Sequence, residues 1–126
     1  MENAQGCTCS TNGPARLIFA CSGGSNVGQI SNQAALELSR AGFGKFYCLA
    51  GLGGEVPVML ETAKAADERI VIDGCPVQCT RKVMERIGLP IDRYVLITDL
   101  GIKKVPDLVY PDGDVETVVR AVLREG

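Results

Sequence analysis

Asp73-Gly74-Cys75-Pro76-Val77-Gln78-Cys79-Thr80-Arg81 marks a passage from strand to helix. An apolar run, Arg69 to Ile72, leads into it, and a helical pattern, Val77 to Ile87, leads out. Pro76 suits a first helical position, because its fixed φ fits and its missing N–H would be unpaired there anyway. Cys75 is then expected at or beside the N-cap. Cys79 lies four residues on, so both thiols are expected on one face of the helix start, with Cβ atoms roughly 5–6 Å apart. A helix N-terminus carries about half a positive charge, which favours thiolate over thiol.

The same alternation extends in both directions. Leu17-Ile18-Phe19-Ala20-Cys21 is a continuous apolar run, as expected of a strand buried on both faces of a parallel sheet. The Gly-rich turn Ser22 to Gly28 follows, with Ser25 or Asn26 able to cap a helix. It fits neither the dinucleotide glycine pattern nor the phosphate-loop lysine pattern, so it reads as a tight turn that puts Cys21 at the mouth of the sheet. Val27, Ile30, Ala34, Leu38 and Ala41 step by three and four along one helical face, and Gly42 ends that helix. Lys45 to Ala50 reads as the second strand, entering a second Gly-rich loop, Gly51 to Glu55. Pro57 opens a helix with Val58, Met59, Ala63 and Ala66 on its apolar side. Arg69 to Asp73 is the third strand, and beyond the cysteine turn Val83, Met84 and Ile87 face inward until Gly88 and Pro90 stop the helix. Tyr94 to Thr98 is the fourth strand, and 102–111 an irregular connector. Asp112 or Asp114 caps a last helix with Val115, Val118, Val119, Val122 and Leu123 on its face.

Four such alternations predict one three-layer α/β domain, a four-stranded parallel sheet with helices on both faces, and analogy with doubly wound folds gives the strand order 2-1-3-4. Residues 1–14 lack apolar periodicity and read as a flexible N-terminal tail carrying Cys7-Thr8-Cys9, with the domain running from 15 to 126. At 126 residues, with 46% hydrophobic residues, the chain can build a core without staples. A net charge of −2 and 5% aromatics argue against a nucleic-acid surface. No apolar run approaches the ~18 residues of a membrane span. Met1 to Gln5 has neither the positive nor the apolar region of a signal peptide, so a reducing cytoplasm is the expected compartment.

Six cysteines in a reducing compartment point to metal ligands or reactive thiols, and with no histidine there is no imidazole ligand or Cys–His pair. In the 2-1-3-4 order, ligands bind beyond the strand C-termini where the connections reverse, between the first and third strands. Cys21 ends the first strand, Cys75 and Cys79 follow the third, and Cys48 lies near the end of the second. These four are therefore expected to converge as an all-cysteine metal site, with Cys7 or Cys9 replacing Cys48 if that side chain points away. Soft thiolates favour zinc, Cu(I) or an iron–sulfur cluster, zinc being the first choice. The metal ion is the one expected partner, and no protein partner is legible.

The segments Cys21-Ser22-Gly23-Gly24-Ser25-Asn26-Val27-Gly28, Cys48-Leu49-Ala50-Gly51-Leu52-Gly53-Gly54, Ala65-Ala66-Asp67 and Asp73-Gly74-Cys75-Pro76, with Cys79, Arg81 and Thr98-Asp99-Leu100-Gly101, together resemble the DGC domain family. The likeness covers most of residues 16–105. It implies a zinc site built from the cysteines and assigns no activity. Two other chemistries are compatible with the residues. Cys75 with Cys79 or Cys21 can act as a thiol–disulfide switch. Cys75 to Arg81 also has the C-x₅-R spacing of phosphatases and arsenate reductases with a cysteine nucleophile, although no glycine lies between them to build an amide cradle. Asp73 and Asp99 read as turn caps near the same mouth.

Overall fold

The computed structural model describes residues 15–124. The elements run β1 (Arg16–Ala20), α1 (Asn26–Arg40), β2 (Lys45–Phe46), α2 (Leu49–Gly53), α3 (Pro57–Ala65), β3 (Glu68–Asp73), α4 (Cys79–Ile87), β4 (Arg93–Leu96), a 3-10 turn (Ile97–Leu100) and α5 (Asp112–Arg124). All strand pairs are parallel and the order is β2-β1-β3-β4. The expected α/β architecture and strand order are what the chain adopts. The Cys7-Thr8-Cys9 tail falls outside the described residues.

The missing alternation in the strands has a direct cause. Ile18, Ala20, Ile70, Ile72 and Val95 point to one face, where they meet Val27, Ile30, Ala34 and Leu38 of α1 and Val115, Val118 and Val122 of α5. Leu17, Phe19 and Val71 point to the other, against Leu52 of α2, Ala63 of α3 and Met84 of α4. Both faces are buried, so neither strand set can carry polar residues at every second position.

Three elements depart from expectation. The second strand stops at Phe46, and Leu49–Gly53, read as strand end and loop, is a short helix that buries Leu52 completely. Tertiary burial of one leucine outweighs the poor helix propensity of the glycines. The fourth strand ends at Leu96 rather than Thr98, passing into the 3-10 turn. Three helical faces are also narrower than expected: Val58 of α3 and Leu123 of α5 are exposed, and Ala41 is the exposed C-cap of α1.

Two polar clusters join the layers. Glu68 bonds both Arg16 and Arg93, whose guanidinium groups stack on Phe43, so one carboxylate links β1, β3 and β4 at their N-terminal ends. Arg69 is the more deeply buried. Its guanidinium donates to the carbonyls of Ala63, Lys64 and Ala66 at 2.9, 2.8 and 3.0 Å, satisfying the end of α3 where the helix has no donors of its own. Replacing Arg69 with Leu strands those carbonyls and removes the ion pair with Asp92, whose carboxylate keeps only the bond from the residue-69 backbone amide. A loss of about 3 kcal/mol is expected, read as a lower urea midpoint by circular dichroism.

Candidate functional site

β1 and β3 are adjacent and end at the same level, with Ala20 opposite Ile72. The chain leaves β1 through Cys21 and leaves β3 through Gly74 and Cys75, so these residues meet at the point where the connections reverse. The Gly74 amide donates to Cys21 Sγ at 3.2 Å. A cavity of about 340 Å³ opens here, with Cys21, Cys75 and Cys79 in its wall beside the Ser22–Ser25 turn.

Each residue of the Asp73-Gly74-Cys75 triplet has a separate structural role. Asp73 is 1% exposed and accepts from the Thr80 amide at 2.8 Å, the Arg81 amide at 3.0 Å and the Tyr94 hydroxyl at 3.0 Å. It thus caps the start of α4 from a distance in sequence. Gly74 packs so closely on α1 that an added Cβ would lie 2.9 Å from the carbonyl carbon and oxygen of Val27. Cys75 then faces the cavity, half-buried, with the ammonium of Lys104 at 3.5 Å from its sulfur.

The start of α4 differs from expectation. Pro76 and Val77 lie in a turn closed by the Gln78 amide on the Cys75 carbonyl at 3.0 Å, and the helix begins at Cys79. Gln78 takes a left-handed conformation, φ 58° and ψ 49°, to swing the chain into the helix. A side chain in that region costs of order 1 kcal/mol, and the bonds from the Thr80 and Arg81 amides to Asp73 offset it. Cys75 is therefore not one helical turn below Cys79. The two flank a turn, and Cys79 at the first helical position is exposed.

The remaining candidates fall as follows. Cys48 is exposed at the N-cap of α2 and is not in the cavity wall, although its neighbour Leu49 is. Cys7 and Cys9 lie outside the described residues. Among the described residues, no three Cys, Asp or Glu side chains stand close enough to hold one ion as they are placed. Arg81 turns away from Cys75: it stacks on Tyr94 with 5.4 Å to the ring centre, pairs with Glu85, and lines a separate cavity with Leu89 and Ile91. No C-x₅-R oxyanion cradle forms.

Burial pushes the Cys21 thiol up from its ordinary range, against the opposing bonds from Ser31 and the Gly74 amide, and the charges of Asp73 and Cys79 add to the rise. Burial and the Asp73 carboxylate likewise raise Tyr94, which keeps its proton and its bond to Asp73 through the neutral range. Two residues beside the cavity were not legible as its neighbours in the sequence. Lys104 sits in the irregular connector, and Asn26, read only as a possible cap, clamps that connector. Its side-chain amide donates to the Lys103 carbonyl at 2.9 Å and accepts from the Val105 amide at 2.8 Å, and its backbone amide donates to the Val105 carbonyl at 3.1 Å.

Two outcomes follow for these residues. Gly74→Ala is expected to push the turn off α1, at a cost of about 1–3 kcal/mol in urea unfolding, and to open Cys21 to reagent. In the unaltered chain at pH 8, iodoacetamide is expected to label Cys21 more slowly than exposed Cys79, as followed by peptide mass spectrometry.

No helix among the described residues is long and apolar enough to cross a membrane. The sequence profile of the DGC domain matches residues 17–122. The chain is also similar to the "Anaerobic and virulence modulator AnvM" of Pseudomonas aeruginosa, with 36% identity over 95 residues, 75% of this chain and 72% of the relative. No solved structure matches. A profile that takes in both thiol-bearing strand ends, together with this relative, places the chain in the DGC domain family.

Proposed function

We propose that this chain binds a soft metal ion, zinc first, at the cavity beyond the strand C-termini, and that it serves as a regulatory protein rather than a structural one. The observation that carries the reading is the presence of Cys21, Cys75 and Cys79 in one cavity wall, brought there from two strand ends. Thiolates from such a set suit zinc, with Cu(I) or an iron–sulfur cluster as less favoured occupants. Cys21, Cys75 and Cys79 would hold the ion, and Cys7 or Cys9 would supply the fourth thiolate in place of Cys48. Bound zinc would act as a Lewis acid and would keep its thiolates deprotonated.

The sulfurs are not at coordinating separations as they stand, so loading requires the exposed Cys75–Cys79 turn to draw inward. Cys21 is fixed by the Gly74 amide, whereas Pro76, Val77 and Cys79 face solvent. The regulatory role is carried over from the name of the Pseudomonas aeruginosa relative, a modulator.

Elemental analysis of chain purified without chelator is expected to give about one zinc per molecule, as for a single four-coordinate site. Cys21→Ser, Cys75→Ser and Cys79→Ser should each lose it, and Cys48→Ser should keep it. Chelation should leave the circular dichroism of the sheet unchanged, because the two cores do not involve the ion. Metal-free protein from every preparation, unchanged by added zinc, would overturn the reading.

A further inference from the structure

The three thiols of the cavity are not equivalent. Cys21 is packed beneath the Gly74 amide and the Ser31 hydroxyl. Cys79 is exposed at the first position of α4. Among the described residues, Cys75 is the one of the three with a cation beside it, Lys104 Nζ at 3.5 Å from Sγ. That contact is built into the fold, because Asn26, itself 7% exposed, grips the connector through Lys103 and Val105 on either side of Lys104. Three hydrogen bonds made by one residue at the start of α1 thus place Lys104 over the cavity.

We propose that Cys75 is the oxidant-reactive thiol of this cavity, that Lys104 serves it as cationic partner, and that Cys79 resolves the product. The oxidant is a small hydroperoxide able to enter a cavity of about 340 Å³. In the first step the Cys75 thiolate attacks the outer oxygen of R–O–O–H. The S–O bond forms as the O–O bond breaks, giving Cys75–SOH and RO⁻. The alkoxide takes a proton from the Lys104 ammonium, which regains one from water. In the second step the Cys79 thiol displaces the hydroxyl, giving the Cys75–Cys79 disulfide and water. Sulfur is oxidised by two electrons and the peroxide is reduced by two. Cys79 is the partner because it is unencumbered and follows directly on the turn that closes on the Cys75 carbonyl. This chemistry goes beyond the metal reading and does not require it.

The test uses the full chain after chelator treatment, with hydrogen peroxide as the probe. Peptide mass spectrometry is expected to show a Cys75–Cys79 disulfide that a dithiol reverses. In Cys79→Ser, dimedone should trap a sulfenic acid on Cys75. Removing a charge about 4 Å from the reacting sulfur is expected to slow oxidation about fivefold in Lys104→Met, with Lys104→Arg near the parent rate. Asn26→Ala should slow it to a similar degree while Lys104 is still present. Dimedone trapping on Cys21 or Cys79 first, a disulfide that includes Cys21, or equal rates for Lys104→Met and the parent would each overturn the proposal. Zinc content measured on the same variants before chelation keeps the two readings separable: a chain that never holds zinc but oxidises as described fails only the metal reading.

Discussion

A buried carboxylate organises this molecule. Asp73 ends the central strand β3 with its charge almost wholly removed from water, a placement that is unfavourable unless donors surround it. Two amides of α4 and the Tyr94 hydroxyl supply them. The two amide bonds fix where α4 starts, and they hold Gln78 in its left-handed turn. Gly74 then has to pass against Val27 with no room for a side chain, and Cys75 emerges facing the cavity. Sheet, helix and thiol site are thus set by one residue and its immediate successors.

Much of this was legible because it follows from periodicity. Short unbroken apolar runs suit strands covered on both faces, and four strand-like runs separated by helical stretches leave few topologies. The convergence of Cys21 with Cys75 and Cys79 follows from the order β2-β1-β3-β4, which brings the ends of β1 and β3 side by side. What periodicity could not supply was local backbone choice. Pro76 fits a helix start and a turn equally well, and only the bonds that Asp73 makes to the Thr80 and Arg81 amides decide between them. Leu49 to Gly53 looks like a loop by composition, and the burial of Leu52 makes it a helix.

The site was less legible than the fold for the same reason. Cys48 was placed by the expectation that β2 runs to Ala50. Once the strand stops at Phe46, that residue becomes the exposed cap of a different helix. Lys104 carries no signal in its own neighbourhood, since Lys103 beside it has the same chemistry. Its significance depends on Asn26, seventy-eight positions earlier, whose side chain bridges the backbone on both sides of it. Long-range polar contacts of this kind leave no trace in spacing.

The brevity of β2 has a bearing on assembly. Two paired residues, Lys45 and Phe46, close that flank of the sheet, and the chain at once turns away into α2. A flank so short exposes few free amides and carbonyls, and its lysine resists a dry neighbour. Strand addition from a second molecule therefore has little template there, and association on that side would have to use side chains rather than an extended backbone ladder.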